Sequence, residues 1–178
     1  MSLNKDAVKA VKIGGVCAVA YLAVYIARNI LSTVSPQMIE SGIMTTESVG
    51  TLSSLFFISY AIGQLINGMI GDKIKAKYMI SFGLIFAGIT NLVFPYVTYS
   101  EILTNAIYGL CGFSLSMIYG PMTKVVAENT KSIYTTRCSL GYTFSSFFGS
   151  PLAGVLAAAM SWKAVFFSSS GIPIFARI

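Results

Sequence analysis

A chain of 178 residues with 55% hydrophobic and only 10% charged residues, and a mean hydropathy of +0.75, is too apolar for a soluble domain. Its net charge of +6 would suggest nucleic acid in a soluble protein, but no DNA-reading motif accompanies the basic residues, which follow membrane boundaries instead. Composition therefore predicts an all-α, polytopic membrane helix bundle in a lipid bilayer, with no nucleic-acid partner. Cys17, Cys111 and Cys138 are odd in number and far apart, which supports neither a disulfide framework nor a metal site, and nothing calls for a cofactor.

The opening residues carry Lys5, Lys9 and Lys12 ahead of an apolar run, as a signal peptide would. The run is too long, however, and has no small-residue cleavage site, so it reads as an uncleaved first span over residues 13–34. Inside it lies Arg28. A guanidinium near mid-bilayer costs roughly 2.5–3.5 kcal/mol. It stands about sixteen residues, roughly 24 Å of helix rise, beyond Lys12, too far to snorkel to that boundary. At ~100° per residue, Gly14, Cys17, Tyr21, Tyr25, Arg28, Ser32 and Ser35 share one stripe with Asn29 at its edge, while the other faces are aliphatic. This pattern predicts a polar stripe facing a water-filled cavity; the alternative is an Arg paired with a structural partner.

A loop without Lys or Arg follows, containing Glu40 and Glu47. Span 2 covers residues 49–70. Its ladder Ser59, Gly63, Asn67 and Gly71 suits close helix approach, and a second stripe of Ser53, Tyr60, Gln64 and Asn67 either faces the same cavity or glues helices together. Span 3, residues 78–97, offers packing only. Span 4 covers residues 101–125, with Tyr119-Gly120-Pro121 near its end, where proline loosens the helix. Span 5 covers residues 134–160 and is rich in glycine around Pro151. A sixth run starts at Trp162-Lys163 and reaches Ile178 after about sixteen residues, short of the ~20 needed to cross, so the chain is expected to stop inside or at the end of its sixth helix.

Basic residues set the orientation. The N-terminus, the 2–3 loop and the 4–5 loop carry Lys5, Lys9, Lys12, Lys73, Lys75, Lys77, Lys124, Lys131 and Arg137. The opposite side has only Lys163, alongside Glu40, Glu47 and Glu101. The N-terminus is thus expected in the cytoplasm, in a multi-pass protein of the plasma or inner membrane.

Between spans 2 and 3 the chain reads Gly68-Met69-Ile70-Gly71-Asp72-Lys73-Ile74-Lys75-Ala76-Lys77. This resembles the loop of the major facilitator superfamily that links the second and third helices, with Lys75 where the usual pattern has its second glycine. The resemblance implies a conformational latch built on Gly68, Asp72, Lys73 and Lys77, which pairs in one state and releases in another. The spacing of Tyr21, Tyr25, Arg28 and Pro36, and the stretch Cys111-Gly112-Phe113 through Met117, Tyr119, Pro121 and Lys124, are similar to helices 1 and 4 of the organophosphate:phosphate antiporters, the family of glycerol-3-phosphate and hexose-phosphate transporters. There the arginine binds the substrate phosphate. A planar guanidinium suits this because it donates paired, charge-assisted hydrogen bonds. Two departures shift the expectation toward a less highly charged anion: Gln64 stands where that family has a second cavity cation, and Phe144 stands near its helix-5 histidine.

Residues 1–178 are thus expected to form one six-helix domain, the N-terminal half of a major facilitator fold, built of two inverted three-helix repeats. It is read as a carrier and not an enzyme, moving a small organic anion, a phosphate ester or a carboxylate, by alternating access. The expected substrate contacts are Arg28, Tyr21, Tyr25, Asn29, Gln64 and Tyr119. Its partner would be a C-terminal six-helix half or a second copy. The alternatives are a membrane sensor of the same fold or an inactive fragment. No acidic residue lies deep in a span and histidine is absent, so no intramembrane proton carrier is visible.

Overall fold

The computed structural model describes residues 5–71 and 73–175, and nearly all of them are helical: α1 (Lys5–Glu40), α2 (Thr46–Ile70), α3 (Ala76–Val97), α4 (Glu101–Asn129), α5 (Ser132–Ala159) and α6 (Trp162–Phe175). Helix is the one open-ended structure that satisfies its own backbone in lipid, and the breaks fall where local chemistry stops it. At the end of α1, Gly42 adopts φ +70°, and the Ile43 N–H returns to the Met38 carbonyl at 3.0 Å. That is a glycine cap closing the last turn. Thr45 then caps α2 by accepting from the Ser48 N–H at 3.1 Å. Pro36 lies inside α1 and cannot donate to the Ser32 carbonyl, but the Ser35 hydroxyl does so at 3.1 Å, and the helix runs on.

Reversal at each short connection sends α1, α3 and α5 one way and α2, α4 and α6 the other. Parallel neighbours then pack along most of their length. Cys138 donates to the Ala10 carbonyl at 3.4 Å, Ser145 to Ala18 at 3.0 Å, Asn29 to Ser150 at 2.8 Å, and Gln37 to Ala157 at 2.5 Å, a polar seam tying α1 to α5. The α2/α4 seam is built from small residues: a Cβ on Gly63 would strike Ser116, and Asn67 donates to the Ser116 hydroxyl at 2.8 Å. The ladder read from the sequence is therefore a packing surface, and Asn67 serves as glue rather than as a cavity group. Exchanging α1–α3 with α4–α6 maps α1/α5 onto α4/α2 and α3/α4 onto α6/α1, all of which are packed pairs, so the main seams follow an inverted packing repeat, while the slighter contacts α5/α6 and α1/α3 have no counterpart.

Behind these seams lies α3, buried against α4 and α6, with Phe94 stacked on Phe166 at 4.5 Å and tilted on Tyr108 at 5.4 Å. This is the packing role expected of it. Among the described residues four helices, α1 to α4, are long and apolar enough to cross a membrane. Six spans are expected from the sequence. α5 has the length, at 28 residues, but is diluted by serine, threonine and glycine, and α6 covers 14 residues within the described part. Arg177 and Ile178 lie outside the described residues.

At the shared end of α1 and α5, Lys131 pairs with Asp6 at 2.5 Å with both side chains well exposed. The hydrogen bond to the carboxylate, then its charge, raises the Lys131 pKa. Any stability from this pair is present below the ordinary lysine range and lost as pH rises through it, and solvent keeps it small.

Candidate functional site

Arg28 sits on the side of α1 that faces α2, half-buried. Three aromatic rings surround its guanidinium. The centre of Phe57 is 5.2 Å away, that of Tyr60 5.3 Å and that of Tyr25 5.7 Å, all within cation–π range. Among the described residues no carboxylate pairs with it, since the ion pair found there joins Lys131 to Asp6. A structural anchor for Arg28 would be a carboxylate or a set of carbonyls. Rings screen the charge from lipid without saturating its N–H groups, which leaves the donor edges for a ligand.

A tyrosine cluster adjoins this cage. Tyr21 lies 5.0 Å from Tyr25, 5.5 Å from Tyr142 and 5.9 Å from Tyr119, ring centre to ring centre, so hydroxyl-bearing rings from α1, α4 and α5 form a cluster that reaches the cage through Tyr25. Close helix approach positions them. Gly149 of α5 lies against the Tyr25 backbone and Cβ, where any side chain would collide at 2.5 Å. Of the residues expected to contact substrate, the structure brings together Arg28, Tyr21, Tyr25 and Tyr119. Gln64 is near, but its amide donates to the Tyr60 hydroxyl at 2.9 Å. Asn29 is committed to Ser150 across the α1/α5 seam. Phe144, expected near the site, is exposed on α5 and packs on Phe147 and Phe148.

Phe57 and Tyr142 are site neighbours not among the residues expected from the sequence. Phe57 shares a face with Tyr60 and Gln64 at helical spacing, a signal that was available. Tyr142 carried none, because only the α1/α5 packing brings it to Tyr21.

The expected latch is partly visible. Gly68 and Lys73 are exposed, the Lys77 ammonium lies 5.0 Å from the Tyr78 ring, and Asp72 lies outside the described residues. Lys124 of α4 donates to the Gly71 carbonyl at 3.2 Å, across a cleft of about 480 Å³ that Asn67, Gly68 and Pro121 also line. This contact ties the end of α4 to the start of the loop.

Comparison with known proteins agrees with this architecture. The profile described as Major Facilitator Superfamily matches residues 17–178. The chain is 26% identical over 164 residues to the glycerol-3-phosphate transporter of Bacillus subtilis, covering 88% of this chain and 37% of that one. It is 25% identical over 154 residues to the hexuronate transporter of the same organism, covering 80% and 34%. A shorter stretch of 78 residues is 32% identical to the membrane sensor protein UhpC of Salmonella typhimurium, covering 44% and 18%. The chain thus spans well under half the length of these relatives. Its apolar helices, its inverted packing repeat and the match along most of its length place it, as a multi-pass membrane protein, in the Major Facilitator Superfamily.

Proposed function

We propose that this chain is the N-terminal six-helix half of a transporter that carries a small organic anion across a membrane by alternating access, with Arg28 as the anion clamp. The observation that carries this reading is a mid-helix guanidinium ringed by aromatic side chains with no described carboxylate partner. Two relatives are named as transporters of glycerol 3-phosphate and of hexuronate, and both names denote anions. In this reading all six helices span the bilayer, and Tyr21, Tyr25 and Tyr119 add hydroxyl donors around the bound oxyanion. A second six-helix bundle, whether a further part of the same protein or another copy, closes the cavity from the opposite side. The exposed apolar faces of α2 and α5, with Leu65 and Met69 on one and Phe144 and Phe147 on the other, meet lipid or that bundle.

A sensor is the second reading, favoured by the similarity to a protein named as a membrane sensor. Flux separates the two: the full-length protein in vesicles loaded with the anion should exchange labelled anion from outside, whereas a sensor binds it and shows no counterflow.

The orientation is testable separately. With Cys17, Cys111 and Cys138 replaced, Ser41→Cys should react with an impermeant maleimide added to intact cells, and Lys75→Cys only after permeabilisation. Reaction of Lys75→Cys from outside would reverse the proposed topology.

A further inference from the structure

Arg28 is flanked on α2 by two rings of different chemistry. Tyr60 has a hydroxyl already engaged by Gln64 at 2.9 Å, and Phe57 has no polar atom at all. Phe57 nevertheless lies as close to the guanidinium as Tyr60 does, at 5.2 Å against 5.3 Å, and the residue is 51% exposed, so core packing does not account for its place. Building on the anion-clamp reading, we propose that Phe57 is the positioning residue of the site. It lies beside the guanidinium so that an oxyanion is taken edge-on, through two N–H groups, by a cation already flanked by rings.

An arginine side chain has several free torsions, and freezing them when a ligand arrives costs affinity, so a ring that holds the guanidinium beforehand removes part of that cost. The negative face of the ring attracts the cation but repels an anion, which steers the oxyanion to the in-plane edge where bidentate bonds form. Excluding water from the covered face lowers the local dielectric and strengthens the bonds that do form. The ligand class that fits is an oxyanion with two oxygens free to lie side by side, a property shared by phosphate monoesters and carboxylates. The rest of the ligand must then extend away from Phe57, toward the Tyr21 and Tyr119 side.

The test uses the full-length protein in detergent, with inorganic phosphate, glycerol 3-phosphate and glucuronate as probes read by ligand-induced thermal stabilisation. Phe57→Leu keeps an apolar side chain of similar bulk but removes the π face, and is expected to weaken the best-bound oxyanion about five- to tenfold. Phe57→Tyr, which keeps the ring, should stay within about twofold of the parent, and Arg28→Gln should abolish the response. Unchanged binding in Phe57→Leu while Arg28→Gln abolishes it overturns the positioning role and leaves the clamp standing. Equal weakening in Phe57→Leu and Phe57→Tyr, with equally lowered midpoints of the ligand-free protein, overturns it in favour of packing. Normal binding in Arg28→Gln, or no response of the parent protein to any probe, removes the clamp and this inference together.

Discussion

Arg28→Lys is expected to cost at least about tenfold in anion affinity while leaving the yield of folded protein near that of the parent, because charge-assisted hydrogen bonds are worth roughly 1.5–3 kcal/mol each and Lys keeps the charge but loses the fork. The ring cage adds to the loss. A planar guanidinium can lie against Phe57, Tyr60 and Tyr25, all within 5.7 Å, while a compact and strongly hydrated ammonium cannot use several rings in the same way. Gln64→Lys is the companion variant. It exchanges an amide that donates to the Tyr60 hydroxyl for a second cation close to Arg28, and should raise preference for a doubly charged phosphate over a carboxylate. If Arg28 were instead a structural anchor, Arg28→Lys would reduce folded protein and leave the affinity of the surviving fraction unchanged, and Gln64→Lys would merely destabilise. Fluorescence-detected size exclusion and anion binding on the same preparations decide between these outcomes. Unchanged affinity with lowered yield would sink the clamp.

Gly112→Ala should be the most damaging small substitution on α4. A Cβ at that position would stand 2.5 Å from the Phe56 carbonyl oxygen and 3.2 Å from both its carbonyl carbon and its ring. The nearest obstacle is backbone of α2, which cannot rotate away, so the α2/α4 seam has to open. Overpacking of this kind costs about 1–3 kcal/mol. Gly141→Ala, in the middle of α5 with no neighbouring helix within 4 Å of the added methyl, meets open space and gains about 0.5–1 kcal/mol of helix propensity. The thermal midpoints of the two variants in detergent should therefore separate in opposite directions from the parent. Equal midpoints would mean that α2 and α4 are not as close as the structure has them.

The seam matters to the anion site because α2 carries Phe57 and Tyr60 directly beside the face that packs on α4, with Tyr60 stacked on Phe56. Phe56 contacts Tyr108 and Gly112 across the seam, and the next residue reaches Arg28. A change that spreads the seam therefore moves one wall of the cage, and substitutions at Gly112 are expected to act on stability first and on binding through it.

What the sequence determined by itself is the set of properties that depend on local composition and period. α2 to α5 begin and end within a few residues of where apolar runs, caps and turns place them, and α6 begins where expected, whereas α1 runs well past both ends of its apolar stretch, because hydropathy marks the part of a helix suited to lipid and not its polar extensions. Arg28 stands out for the same reason: a lone charge inside such a run is costly wherever the rest of the chain goes. The Tyr21, Tyr25 and Arg28 stripe follows from periodicity alone and is present in the structure.

Only the tertiary structure decided how polar groups were shared between cavity and seam. Asn29 reads from sequence as a substrate contact and Asn67 as a cavity group or glue in equal measure, and both are spent on hydroxyls of a neighbouring helix, Ser150 and Ser116. Gln64 stays beside the cavity but is engaged by Tyr60. Two of the three rings around Arg28, Phe57 and Tyr60, belong to a different helix, and Tyr142 reaches the tyrosine cluster across more than a hundred residues of chain. Hydrophobic period tells which face of a helix is apolar, but not which neighbour that face meets. In this bundle the neighbour is selected by small residues at Gly63, Gly112 and Gly149, whose missing side chains let particular pairs of helices close and so bring the rings around one arginine.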